Sequence, residues 1–587
     1  MAIAPDPPAH EPGAAEAKGA AEPDRHGPGD ANVLAAATNL RAAALREALD
    51  LARSRRLEAE SLRRERDQAL RERDAARNSL DRLRRWRLVR LAVSAVRAVQ
   101  RAVGKGKRTT PSGSGKGQVA APPIAIPPGL ESSDPGQYRA ALQRRLRSAG
   151  GPPIRFVILG ASPDTMSLAA DLAALGWADG SDAVVSQLAP IDIGVVVAPD
   201  ADPRSLPREV IAVAWVTGDS APWAAQPWFD AFDIVLVPDE RAARDVAAAS
   251  SKTATVVAPA AAGGTSPSAA ALRDAVAGWV AATRIAVMVQ ALRWDVAEPS
   301  GDYHLARALQ RQFERRGHPT SIYFQREWTR PATAREDAVI HLWGRYELAV
   351  RPGQVNVLWV LYHPELVTDE LCRRYDLLFV ASDKLAARLS RDTGLEVRPL
   401  HQATDPERFR PTPGGPAHEL LFVGNSRGTR RTIIDDVSPS PHDLAVYGGG
   451  WDPELVDPAH VRGSVVPNRD LPSYYGAAGI VLNDHWVEQV EAGLINNRLY
   501  DALAAGAFVI SDPVGGLDEE FDGGVVTYCD AADLALKVER FLADPEARKQ
   551  HVERGRRAVL ARHTIAHRAD DLVAAILPAV AARTKPR

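Results

Sequence analysis

Apolar and polar positions along the 587-residue chain form two textures. From residue 152 onward, short β-branched runs alternate with helical stretches. The runs at 155–160, 193–197, 211–216, 234–237, 285–289, 355–360, 377–380, 420–423, 480–482 and 508–510 read as buried parallel strands. A strand covered on both faces has no polar alternation, which is the pattern seen. Strands alternating with helices predict right-handed βαβ units and doubly wound α/β sheets. Residues 32–103 differ: they contain no proline or glycine and are built from Ala, Leu, Arg and Glu, all good helix formers. A heptad frame from Leu45 places alanines and three arginines (Arg55, Arg66, Arg73) in its seam. Such a seam fits a weak coiled coil, and hence a homo-oligomer through this arm, or a long solvated helix.

The arm ends on a cationic stretch. From Arg84 to Arg108 there are nine basic residues and no acidic one, with Val89, Val93, Val96, Val99 and Val103 on one helical face. A basic amphipathic helix of this kind predicts contact with an anionic membrane surface. Residues 1–31 are Pro, Ala, Gly and acidic residues without periodicity and read as a disordered leader. A Gly/Ser-rich then Pro-rich linker is expected over 104–151.

Within the α/β part the sequence echoes itself. Val213-Ala-Trp-Val216, Phe232–Val237 and Ala242-Ala-Arg244 parallel Val357-Leu-Trp-Val360, Tyr375–Val380 and Ala386-Ala-Arg388. The Trp-to-Asp intervals are 18 and 17 residues. Two related Rossmann-like units at 152–282 and 283–412 are expected, followed by a third at 413–587.

Composition narrows the function. The 72 Lys+Arg nearly cancel the 74 Asp+Glu, so whole-chain charge argues for no nucleic-acid partner. Two cysteines, Cys372 and Cys529, exclude a disulfide framework and a cysteine-only zinc site. No run approaches the length of a membrane span, and the start lacks the basic and apolar regions of a signal peptide. A cytoplasmic protein, peripheral at the inner face of the plasma membrane, is the expectation. Arginine greatly outnumbers lysine and alanine is abundant, as in GC-rich bacterial genomes.

Four places carry candidate chemistry at expected strand ends, where open α/β sheets bind ligands. After the run at 285–289 stand Gly301, Asp302 and His304 at a helix entrance. A His/Asp pair there suits a general base, and Asp302 equally suits an N-cap. After 420–423 come Gly424, Asn425, Arg427, Arg430 and Arg431, whose backbone amides and guanidinium forks suit a diphosphate. The run at 480–482 delivers Asn483, Asp484, His485 and Trp486. Downstream, Asn497, Arg498 and Asp501 lie within one helical turn. Asp200-Ala-Asp202 spells a metal-binding DxD but sits in a short unit and reads as a surface loop.

The ordered motifs from Leu420 to about Asp570 resemble the donor domain of GT-B glycosyltransferases, nearest to the CgeB-type group. They include Phe-Val-Gly424, Tyr-Gly-Gly-Gly-Trp451, Leu-Pro-Ser-Tyr-Tyr475, Leu-Asn-Asp-His-Trp486, Asn497-Arg498-Leu-Tyr-Asp501 and His563-Thr564…Arg568. Gly301-Asp-Tyr-His304, His363-Pro364-Glu365 and Gln402–Phe409 resemble the acceptor side. The resemblance implies a nucleotide diphosphate sugar as co-substrate, with no resident cofactor or metal. Its sugar would pass to a glycan or lipid-linked acceptor in bacterial cell-surface polysaccharide synthesis. Carried over by position, Asp501 matches the second acid of the family-4-like E-x7-E motif, a ribose binder. Arg430, with Arg427 second, would meet the diphosphate, Asn497 would lie near it, and Asn468 would border the base. At the first acid position stands Gly493. That departure leaves an inverting reaction, with Asp302 or His304 as base, beside the retaining one. It also supports the alternative of a catalytically inactive scaffold for a membrane-surface glycan assembly complex.

Overall fold

The computed structural model describes residues 142, 144–146, 153–160, 165–179, 192–206, 210–257, 269–328, 333 and 335–584. The leader, the helical arm and the basic stretch from Arg84 to Arg108 lie outside the described residues. No helix among the described residues is long and apolar enough to cross a membrane.

Three parallel six-stranded sheets follow one another. The first holds β1 (Arg155–Leu159), β2 (Ala178–Asp179), β3 (Ile193–Val196), β4 (Ile211–Trp215), β5 (Ile234–Val237) and β6 (Ala254–Val256). The second holds β7 (Ile285–Met288), β8 (Thr320–Tyr323), β9 (Ala338–Trp343), β10 (Val355–Val360), β11 (Leu377–Val380) and β12 (Val397–Pro399). The third holds β13 (Leu420–Val423), β14 (Leu444–Tyr447), β15 (Val461–Gly463), β16 (Ile480–Asn483), β17 (Val509–Ser511) and β18 (Val526–Thr527). The spatial orders are β2-β1-β3-β4-β5-β6, β8-β7-β9-β10-β11-β12 and β15-β14-β13-β16-β17-β18. The first two orders are the same, and the echoed Trp215 and Trp359 sit on the fourth strand of each. The α/β class with parallel, Rossmann-like sheets is therefore as expected.

Central strands are buried on both faces because helices cover both, so β9 and β10 carry only buried residues. Buried apolar clusters flank each sheet. Two segments depart from the expected grouping. Leu142, placed in the linker by sequence, enters the core of the first sheet, and Arg145 pairs with Asp192 at 2.5 Å. The final helix, Ile565–Thr584, packs on the second sheet instead of the third. Its Ile565, Ala569, Leu572 and Ile576 recur at 4, 3 and 4 residues, one helical stripe, and join the second core. Fully burying one Ile or Leu is worth about 1.5–3 kcal/mol, so this stripe binds the chain end firmly. The crossing point is stitched by a bridge between Thr404 and Thr564 and by Arg568 Nε donating to His401 O at 2.6 Å.

Candidate active site

In each of the last two sheets the strand order reverses beside its first strand, at β7/β9 and at β13/β16. At such a switch point successive connections leave on opposite faces and a crevice opens at the carboxyl ends. The crevices of the second and third sheets share one cavity of about 420 Å³. Gly301, Asp302 and Tyr362 line it from the second sheet. Arg427, Arg431, Asp484, Trp486, Asn497 and Arg498 line it from the third.

The third-sheet wall is cationic. Arg431 is buried and its Nε donates to both oxygens of Asp484 at 2.9 Å, so its charge is already matched. Arg498 donates from Nη1 to Asn483 Oδ1 at 2.8 Å, and burial lowers its pKa. Gly424 makes room for it, since a Cβ there would lie 2.5 Å from Arg498 Nη2. Arg427 differs. Its guanidinium carbon lies 4.6 Å from the Trp486 ring centroid, and it has no hydrogen bond or ion pair among the described residues. Its backbone takes the left-handed region at φ 53°, a conformation costing a non-glycine residue of order 1 kcal/mol. Burial, then the charges of Arg345 and Arg431, disfavour its protonated form. A nearby anion would offset the repulsion from Arg345 and Arg431.

Opposite stands Asp302, in the first turn of the helix Gly301–Arg315. Its Oδ2 accepts from Gln290 N at 2.6 Å, and its Oδ1 accepts from Tyr303 N at 2.9 Å and from the Ser300 hydroxyl. A carboxylate offers about four lone-pair sites, so three donors leave one for a substrate hydroxyl. Gln290 is itself fixed: its amide donates to His341 Nε2 and to Leu342 O, both at 3.1 Å. His341 is fully buried, and burial pushes its pKa down to about 3, so the neutral ring spans Gln290 and Tyr375. Nothing in the local sequence marked Gln290 or His341.

Of the expected residues, Gly301, Asp302, Arg427, Trp486, Asn497 and Arg498 meet at the cavity. Gly424, Asn425, Asn483, His485 and Asp501 stand behind it. Asn425 Oδ1 accepts from Gly449 N at 2.7 Å and ties the loop after β13 to the Gly-Gly-Gly stretch after β14. His485 Nδ1 bonds Asp512 at 2.7 Å. Asp501, expected at the ribose, accepts from Thr404 Oγ1 and from Asn497 Nδ2, each at 2.7 Å. Burial raises its pKa to about 8, so it positions the Asn497 amide from behind.

Three residues turn elsewhere. Arg430, expected first at the diphosphate, is exposed, bonds Asp435 and Glu454 O, and does not line the cavity, whereas Arg427 does. His304 bonds Glu298 O through Nε2 at 2.7 Å, its Nδ1 faces Arg408, and burial lowers its pKa. Asn468 lies beyond β15 and does not line the cavity. His363 and Glu365 are a hydrogen-bonded pair, Nδ1 to Oε1 at 2.8 Å, with His363 held left-handed at φ 54°. With Glu488 they form a cluster whose ligand atoms lie within 4.8 Å of one another, able to hold a metal ion, although Arg345 Nε approaches His363 Nε2 at 3.4 Å. Asp202 of the DxD caps a short 3-10 helix and pairs with Arg204. Gly493, where the first motif acid was sought, ends the helix Val487–Ala492 at φ 67°. A glutamate there would carry the strain of a left-handed backbone.

Comparison with known proteins gives the following. No curated protein matches the chain. Sucrose-phosphate synthase from Thermosynechococcus elongatus is similar in structure at 14% identity and TM-score 0.39, over 51% of this chain and 100% of its own. HepE of Anabaena, in complex with UDP and glucose, is similar at 11% identity and TM-score 0.36, over 50% and 99%. A glycosyltransferase from Rickettsia africae is similar at 12% identity and TM-score 0.38, over 52% and 100%. Residues 429–574 match the family model described as glycosyl transferase-like. That segment of the chain is thus glycosyltransferase-like in sequence, and it carries Arg431, Asp484, Trp486, Asn497 and Arg498 to the cavity on an α/β scaffold of parallel, Rossmann-like sheets.

Proposed function

We propose that the chain is a GT-B glycosyltransferase, nearest the CgeB-type group, that moves a sugar from a nucleotide diphosphate donor to a glycan or lipid-linked acceptor. The observation that carries this is Arg427, an exposed guanidinium without an anionic partner among the described residues, at the cavity shared by two switch points. The donor diphosphate lies against Arg427, with Arg498 and the Asn497 amide beside it. These fixed donors meet the charge that develops on the leaving diphosphate, so the reading needs no metal ion. Asp302, with its one open lone-pair site, takes the proton of the attacking hydroxyl, which favours inversion. His363 and Glu365 border the acceptor's approach. In this reading the chain serves bacterial surface-polysaccharide synthesis, and the stretch from Arg84 to Arg108 holds it at the anionic inner membrane face.

Calorimetry with UDP, ADP and GDP tests the donor site. One of them binds, and Arg427→Ala weakens it by about 10-fold to 100-fold, as expected for charge-assisted bonds of about 1.5–3 kcal/mol. If none binds the folded chain, or if the variant binds as well as the native protein, the reading is wrong. Binding without turnover of any nucleotide sugar would favour the scaffold, to which the glycine at 493 also points. Co-pelleting with anionic vesicles that is unchanged after deletion of residues 84–108 would remove the membrane role.

A further inference from the structure

A second cavity, of about 400 Å³, lies between the first and second sheets. Trp228, Trp294, Tyr303 and Phe324 form much of its wall. Trp294 is 42% exposed, unusual for so large an apolar ring, and it sits on a short turn after β7. The Arg204 guanidinium lies 3.7 Å from the Trp294 centroid and 5.3 Å from that of Trp228. Asp202 holds one edge of it, Nε at 2.9 Å and Nη2 at 2.5 Å. The remaining nitrogen, Nη1, is buried without a hydrogen-bond partner.

Flat rings and guanidinium forks side by side suit a saccharide: its C–H faces lie on the rings, while its oxygens take the N–H donors. The charge narrows the class. Five basic and three acidic side chains line the cavity. Most of these charges are matched: Asp230 with Arg307 at 2.6 Å, Asp233 with Arg335 at 2.6 Å, Lys252 with Glu314 at 2.7 Å and Arg204 with Asp202 at 2.5 Å. Arg326, exposed at the edge, has no ion pair among the described residues. An unmatched cation and a buried unpaired donor call for a carboxylate, which a guanidinium grips by two parallel bonds.

The place of the cavity gives it a role. In the first turns of the helix Gly301–Arg315, Gly301, Asp302 and Leu305 face the active-site cavity while Tyr303 and Arg307 face this one. One helix, about 10 Å across, separates them. We infer that this second cavity binds an acidic saccharide of the uronic-acid type, and that it holds the distal part of an acceptor whose reacting end lies at Asp302. The acceptor role rests on the transferase reading; the binding does not.

The test titrates the full chain with tetragalacturonic acid and with maltotetraose as its neutral counterpart, by calorimetry, with UDP titrated in parallel. The expected result is binding of the acidic oligosaccharide only. Trp294→Ala and Arg326→Glu, both at exposed positions the fold tolerates, each weaken it about tenfold or more. Arg427→Ala leaves it unchanged and weakens UDP. Thermal unfolding confirms that each variant is folded. The inference is overturned if the acidic oligosaccharide does not bind, if maltotetraose binds equally well, or if neither variant weakens binding. Loss of UDP binding alone would strike the transferase reading and leave this site standing.

Discussion

The first and second sheets share one strand order, and they also share the way their strand starts are held. In the first, Asp192 accepts from Arg155 N at 2.8 Å and Asp233 from Ala212 N at 2.9 Å. In the second, Asp337 accepts from Arg284 N at 2.8 Å and Asp376 from Asn356 N at 2.7 Å. The four carboxylates sit at matching places: one just before the third strand of each sheet, one just before the fifth. The opposite edges differ. After its strands the second sheet supplies Gly301, Asp302, Tyr362 and Gln402 to the candidate active-site cavity, whereas the first sends Arg204 and Trp228 to the aromatic one. Strand starts carry the scaffold and are alike in the two sheets; strand-end loops, where binding residues concentrate, differ.

The comparison can be broken first at the loops. Asp302→Asn is expected to lower nucleotide-sugar turnover by about 10²–10⁴-fold, the usual contribution of a general base, while UDP affinity stays as it was. Equal turnover in native and variant enzymes would take the base role from Asp302. At the strand starts the two sheets should respond unequally. Asp233→Ala removes one of two carboxylates from the buried Arg335, Glu336 remaining at 3.2 Å, and leaves Ala212 N unmatched, so urea unfolding should register a loss of about 3 kcal/mol, the low end for a broken buried pair. Asp376→Ala leaves a backbone N–H unmatched, but its arginine partner, Arg583, reaches solvent, so about 1–3 kcal/mol is expected. Equal losses would mean that the matching carboxylates do the same work in both sheets.

The smallest effect concerns pH. Burial raises the Asp501 pKa to about 8 from an ordinary value of 3.8. The folded chain therefore holds a proton that the unfolded chain releases from about pH 4 upward. The stability this gives is complete below that pH and is lost as pH rises through about 8. Asp501→Asn, which cannot ionise, should flatten this fall, so thermal unfolding of variant and native protein should diverge between pH 4 and 8. Parallel profiles would show that the carboxylate is solvated.

The ten apolar runs expected as strands all fall on strands of the structure, while several others were missed for local reasons. In β9, Ala-Val-Ile-His-Leu-Trp, His341 interrupts the apolar run, and only the partnership of Gln290 and Tyr375 makes burial of that ring tolerable. Edge strands such as Ala178–Asp179 and Val526–Thr527 are two residues long and carry no periodicity. At the site, Arg427 and Trp486 are legible as residues after strands, and Asn497 and Arg498 as polar residues within one helical turn. Which arginine stands unpaired at the cavity is not: Arg427, Arg430 and Arg431 lie within five positions, and the fold of the loop around Arg427, at φ 53°, sets their directions.

The sequence by itself determined the alternation of buried runs and helices, hence parallel sheets, the echo between two of them and the segments that bear chemistry. These follow from interactions of residues near one another along the chain. Only the tertiary structure decided that residues 565–584 return to the second sheet, that Asp484 neutralises Arg431 from 53 residues away, and that Arg427 alone among the neighbouring arginines is left for an anion. Pairing between distant charges depends on how two sheets meet, and no local pattern of residues encodes that meeting.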